Sequence, residues 1–129
     1  MQWNNGKNRG FSNSDRPYLP TDNREDAPTV ATQENDPVSL LSFTKQLIAL
    51  HKNDNRLWAD GGFHILLPEY PFVYERGNGS RKLFVAINPS QYTRYYDAPA
   101  FSKIHLSQNV LFEGERLVME GVSFIIAEE

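Results

Sequence analysis

Phe72-Val73-Tyr74-Glu75-Arg76, then Gly77-Asn78-Gly79-Ser80, then Lys82-Leu83-Phe84-Val85-Ala86-Ile87-Asn88 is the stretch that decides the fold. Its flanks are rich in aromatic and β-branched residues, which suit a pleated, half-buried surface. The middle supplies glycine and asparagine, the residues a tight turn needs where φ becomes positive. The pattern predicts a β-hairpin. Its second strand is apolar on both faces for several residues, which places it in the centre of a sheet.

Working outward, Gly62-Phe63-His64-Ile65-Leu66-Leu67 reads as a preceding strand. After a polar, tyrosine-rich loop, further strands are expected at Lys103 to Leu106, Asn109 to Phe112, Arg116 to Glu120 and Val122 to Ala127, punctuated by Gly114 and Gly121. Short strands with close turns and no intervening helix predict a mainly-β domain, an antiparallel β-sandwich over residues 55–129. One long helix is expected before it, over residues 36–54. Asp36 is its predicted N-cap and Pro37 its first residue, while Val38, Leu40, Leu41, Phe43, Leu47, Ile48 and Leu50 form its apolar stripe. Residues 1–35, crowded with Asn, Asp, Gly, Ser and Pro, read as irregular. Trp3, Phe11, Tyr18 and Leu19 look like anchors for a larger body.

Composition narrows the functional classes. A chain of 129 residues, 40 % apolar and 12 % aromatic, is large enough to bury a core. The net charge of -3 comes from 13 basic and 16 acidic residues with no block of either sign. Nucleic acid is therefore not an expected partner, because a phosphate-binding face needs clustered Lys and Arg. There is no cysteine, hence no disulfide framework and no thiolate metal site. The longest apolar runs are a few residues, too short for a membrane span or signal peptide. His51, His64 and His105 each stand apart from any metal-ligand spacing, so no metal is expected. No phosphate loop or nucleophile elbow occurs, so no cofactor is expected. Glu113 and Glu115 flank Gly114, which reads as a hairpin turn rather than a catalytic pair.

Four segments carry a resemblance. Met1-Gln2-Trp3-Asn4-Asn5 with Asn8-Arg9-Gly10-Phe11-Ser12 resembles the MQW-(D/N)-x-x-x-N-x-G-F-(S/T) run late in the catalytic barrel of the α-amylase family of glycoside hydrolases. Asn35-Asp36-Pro37-Val38-Ser39-Leu40-Leu41 through Lys45-Gln46-Leu47-Ile48-Ala49-Leu50 is similar to the last helix of that family's β/α barrel. The hairpin quoted above, ending Asn88-Pro89-Ser90, resembles a hairpin of its C-terminal β domain, and Leu117 to Ile126 resembles its final strands. The branch is that of oligo-1,6-glucosidases, α-glucosidases and trehalose synthases. The departures are Asn4 for a common Asp, Tyr18 for a common Trp, and Asp60-Gly61-Gly62-Phe63 for a Gly-(D/S)-(F/Y) entry.

The resemblance implies a C-terminal fragment: the end of a barrel and the accessory β domain. The paired carboxylates that retaining glycosidases hold about 5–5.5 Å apart would lie before Met1, so no catalytic residue is expected here and the chain alone is expected to be inactive. The missing barrel is the expected partner, and the branch implies a cytoplasmic setting. In relatives the segment of Gln2 and Trp3 runs beside the substrate cleft, so these two are expected to adjoin substrate in an intact parent. Tyr92, Tyr95 and Tyr96 offer rings on which a surface sugar could stack. Two rival functions are a free-standing carbohydrate-binding β module, and a structural domain that dimerises through the exposed helix stripe.

Overall fold

The computed structural model describes residues 1–128 and resolves two compact units, Met1–Asn53 and Asp54–Glu129. In the second, six strands form one antiparallel sheet: β1 (Phe63–Leu67), β2 (Phe72–Arg76), β3 (Leu83–Asn88), β4 (Arg94–Asp97), β5 (Lys103–Glu113) and β6 (Arg116–Glu128). The strand order is β1-β2-β3-β6-β4, with β5 along the other side of β6. The quoted hairpin forms with Tyr74 opposite Val85, and β3 is central, with Leu83 through Ala86 all buried. Double-sided burial is what its continuous apolar run dictates.

One face of the sheet holds the core: Val73, Phe84, Ala86, Leu117, Met119, Ile125 and Ala127, joined by Ala98. Phe84 is its largest member and sits between the rings of Tyr96 (5.7 Å) and Phe101 (4.9 Å). On β1 and β2 the rings of Phe63, Tyr74 and Phe72 form a ladder at 4.9 and 5.3 Å. The register shift between Ile65 and Leu67 is a bulge, beyond which Leu67 packs on the core.

Two pairs of expected strands are each one long strand. The Asn109 break lies inside β5 and the Gly121 break inside β6. Conversely, the tyrosine-rich loop contains a strand, β4, that the polar composition concealed. Strands β3 and β4 run in the same direction along one side of β6, β3 against Ser123–Glu128 and β4 against Arg116–Met119. They behave as one strand interrupted by residues 89–93. At that level β6 turns through Val122 (φ 53) and β5 through Asn109 (φ 53), so three neighbouring lines of backbone break together.

In the first unit the long helix begins later than expected. Helix α2 is Leu40–Asn53. Its cap is Ser39, not Asp36: Ser39 Oγ accepts from Ser42 N (3.2 Å) and its carbonyl from Phe43 N (2.9 Å). Asp36 instead closes a turn, accepting from Val38 N at 3.0 Å. A short helix, α1 (Val30–Glu34), occupies part of the segment expected to be irregular. It starts with a reciprocal cap between Thr29 and Thr32. Gln33 joins the two helices, accepting from Leu41 N on Oε1 and from Ser39 Oγ on its carbonyl. The rest is ordered by polar bonds. The Arg9 guanidinium donates to Asp22 O, Arg24 O and Asn5 Oδ1 at 2.7–2.9 Å. Burial contributes little: Trp3, Phe11, Tyr18 and Leu19 are all exposed.

Candidate functional site

Gln2 and Trp3 lie together at the start of α1. Their carbonyls accept from Val30 N (3.0 Å) and Ala31 N (2.9 Å), supplying the acceptors that a helix start requires. The Trp3 indole is exposed, whereas Gln2 Oε1 is buried without a hydrogen-bond partner among the described residues. A largely apolar cavity of about 330 Å³ adjoins Gln2, walled by Met1, Pro28, Val30, Leu40 and Leu41.

The structure separates the three tyrosines. Neighbouring strand residues point to opposite faces, so Tyr96 is turned onto the core against Phe84 while Tyr95 faces outward. The Arg116 guanidinium covers the Tyr95 ring at 5.5 Å from its centroid. Tyr92 is exposed in the loop between β3 and β4. The three rings therefore do not share one face, and Tyr96 is partly buried against the core. Glu113 and Glu115 flank Gly114 (φ 63) in the β5–β6 turn, with Glu113 paired to Arg116.

The densest charge cluster lies where the start and end of the second unit meet. Asp54 caps a 3-10 turn over Asn55–Leu57 and binds the Arg56 guanidinium at 2.6 Å. Arg56 also reaches Glu128 Oε2 at 3.1 Å. Arg81 pairs with the other oxygen of Glu128, and His105 Nε2 lies 3.4 Å away. Hydrogen bonding from Arg56, opposed by desolvation and reinforced by Arg81 and His105, holds the Glu128 carboxyl down at about 2. The Arg56 hydrogen bond likewise lowers Asp54, and Asp54 in turn raises Arg56. With every charge matched by an opposite one, this is a structural lock rather than an acid–base pair.

Beside that lock is a groove of about 300 Å³ that sequence reasoning missed. Trp58, which is 48 % exposed, is among its lining residues with Asn55, Arg56, Asp60 and Asn78. Its only sequence signal is a tryptophan next to the Asp60-Gly61-Gly62 turn. Among the described residues no three His, Cys, Asp or Glu side chains converge as metal ligands, and no helix is long and apolar enough to cross a membrane.

The sheet and helices have counterparts among solved structures. A family GH13_31 enzyme superposes on the whole of this chain with a TM-score of 0.85 at 24 % identity, the match occupying 23 % of that enzyme. No protein-family model matches the chain. The class is nonetheless defined: the chain carries the mainly-β C-terminal domain of the α-amylase family of glycoside hydrolases. Within that class it is similar to the oligo-1,6-glucosidase of Heyndrickxia coagulans, 36 % identical over 102 residues, and the probable oligo-1,6-glucosidase 2 of Bacillus subtilis, 38 % over 101. Each match includes 77 % of this chain and spans 18 % of the relative's length. The human amino acid transporter heavy chain SLC3A1 is 29 % identical over 133 residues, 95 % of this chain and 19 % of its own.

Proposed function

We propose that this chain is the C-terminal accessory segment of an enzyme that acts on α-glucosidic oligosaccharides, and that it supports a catalytic barrel instead of performing the chemistry. The observation that carries the reading is the match to under a fifth of two oligo-1,6-glucosidases. Its distribution points the same way. A similar segment occurs in a protein named as an amino acid transporter heavy chain, which supports a scaffold role over a catalytic one.

Helix α2 supplies the contact in this reading. None of its residues is buried, and Leu40 and Ile48 are 75 % and 50 % exposed. An apolar stripe of this kind is stable in water when a partner covers it, and the barrel is that partner. Gln2 and Trp3 then adjoin the substrate cleft through the barrel, where the buried Gln2 Oε1 finds its donor. A cytoplasmic setting belongs to the same proposal.

The test compares the 129-residue chain with the polypeptide encoded when its reading frame is extended upstream. The extended protein is expected to hydrolyse or isomerise α-glucosides, and the chain alone to show no turnover. Hydrolysis by the chain alone, or an upstream sequence without a barrel and its paired carboxylates, overturns the proposal.

A further inference from the structure

We infer that Asn78 is a site of spontaneous chemical modification: in the folded chain its carboxamide nitrogen leaves as ammonia, aspartate and isoaspartate replace it, and the β2–β3 turn comes free of Asp60. The chain has two Asn-Gly pairs, Asn5-Gly6 and Asn78-Gly79, and the fold separates their fates. The reaction needs the backbone nitrogen of the following residue to attack the side-chain carbonyl carbon. Glycine in that place leaves the approach open, because it has no Cβ and the widest choice of φ and ψ.

Asn78 and Gly79 are both exposed at the tip of the turn. Among the described residues no hydrogen bond engages the Gly79 N–H, and a side chain there would meet nothing within 4 Å apart from its chain neighbours. One bond restrains the Asn78 carboxamide: Nδ2 donates to the Asp60 carbonyl at 3.0 Å. A single exposed bond of this kind opens readily. At Asn5 both reacting groups are held. Gly6 N donates to Asn4 Oδ1 at 2.8 Å, and Asn5 Oδ1 accepts from Arg9 Nη1 at 2.7 Å. The same guanidinium is anchored on Asp22 O and Arg24 O, so this clamp is braced. Asp60-Gly61, the chain's Asp-Gly pair, is open to the same ring closure but is also held, since Gly61 N donates to Trp58 O at 3.0 Å.

The chemistry balances with water alone. The Gly79 nitrogen bonds to Asn78 Cγ and gives up its proton; the Cγ–Nδ2 bond breaks, and ammonia leaves with that proton. The product is a five-membered succinimide. Water then opens it at Cγ to give aspartate, or at the main-chain carbonyl to give isoaspartate, whose backbone runs through the former side chain. Either product has lost the Nδ2 donor and carries a carboxylate, which only accepts. Neither can bond the Asp60 carbonyl, so the turn is released.

The test incubates the 129-residue chain at mildly alkaline pH and maps its peptides by mass spectrometry. The peptide containing Asn78 is expected to gain one dalton and to resolve into aspartate and isoaspartate forms, while the peptide containing Asn5 keeps its mass. In urea strong enough to unfold the chain, the two should convert at similar rates. Gly79→Ala should slow conversion at Asn78 severalfold with circular dichroism unchanged, because the added methyl has room. Asn78→Asp should lower the melting midpoint by removing the tie to Asp60. An unmodified Asn78, or Asn5 converting as fast in the folded chain, overturns the site. A difference that persists in urea overturns the fold as its cause, and full-rate conversion in Gly79→Ala overturns the ring-closing route. An unchanged midpoint for Asn78→Asp overturns the release of the turn.

Discussion

The Asn88 carboxamide donates to the Glu120 carbonyl at 3.0 Å, joining the end of β3 to the turn inside β6. The same nitrogen lies 2.8 Å from Tyr92 O and 3.2 Å from Met119 O, and Asn88 Oδ1 accepts from Ser90 N and Oγ. Asn88 is fully buried. Its side chain thus supplies the partners lost where β3 breaks from β6 before β4 resumes the pairing. Asn88→Ala leaves buried carbonyls without donors and is expected to destabilise the domain by about 1–3 kcal/mol. Asn88→Asp should do no better, because the three carbonyls need donors. Urea unfolding checks this; an unchanged midpoint for either variant refutes the role.

The neighbouring turn in β6 makes two opposite predictions. A Cβ at Gly121 would meet Gln91 O at 2.6 Å, so Gly121→Ala should cost about 1–3 kcal/mol by forcing the loop away. Val122 holds φ 53 although β-branched, and is 63 % exposed. Asparagine tolerates that region far better, so Val122→Asn is expected to stabilise by about 1 kcal/mol. Thermal unfolding of both variants should move in opposite directions.

Glu128 sets an acid limit. Its carboxyl is lowered from 4.5 to about 2 in the fold, so it contributes stability that is fully present above about pH 4.5 and lost as pH falls through about 2. Asp54 is shifted in the same direction. Unfolding midpoints measured across this window should fall with acid, and Glu128→Gln should flatten the fall. An equally steep profile in the variant would exclude Glu128 as its source.

Phe84→Ala removes the largest core side chain and its contacts with Tyr96 and Phe101. A loss of about 3–5 kcal/mol is expected, a large share of a small domain's stability. Near-ultraviolet dichroism and urea unfolding should both report it. A shift under about 1 kcal/mol would mean that the ring is not the centre of the core.

The chain alone should self-associate through α2. Light scattering at high concentration should detect dimers or larger species, and Leu40→Lys with Ile48→Lys should yield a monomer with an unchanged melting midpoint, since both side chains are exposed. A monomeric parent chain at high concentration would count against the exposed stripe as a docking face.

Much of the fold was legible because local pattern and final environment agree. The β2–β3 hairpin is written in its alternating flanks and glycine turn, and centrality in the unbroken apolar run Leu83–Ile87. The helix body was legible from its period, but its start was not. Asp36-Pro37 is the stronger local signal, yet Ser39 caps α2 because Gln33 binds both Ser39 and Leu41. Strand β4 escaped notice because Arg94-Tyr95-Tyr96-Asp97 alternates polarity weakly, and only pairing with Leu117–Met119 along β6 makes it a strand. At the site, Trp58 gave no periodic signal, because its neighbours come from a turn twenty residues away.

By itself, the sequence determined the elements whose information is local: the hairpin, the helix and the lack of any clustered charge or thiolate chemistry. It also determined the kinship, since four ordered segments resemble one family. Tertiary structure alone decided which distant residues meet. Arg56 and Glu128 are 72 positions apart yet share an ion pair at 3.1 Å, and Asn88 reaches Glu120 across 32. Periodicity reports the face a residue occupies, but strand register and backbone breaks select its partner. Those choices minimise unsatisfied polar groups over the whole sheet at once, and no local stretch contains that sum.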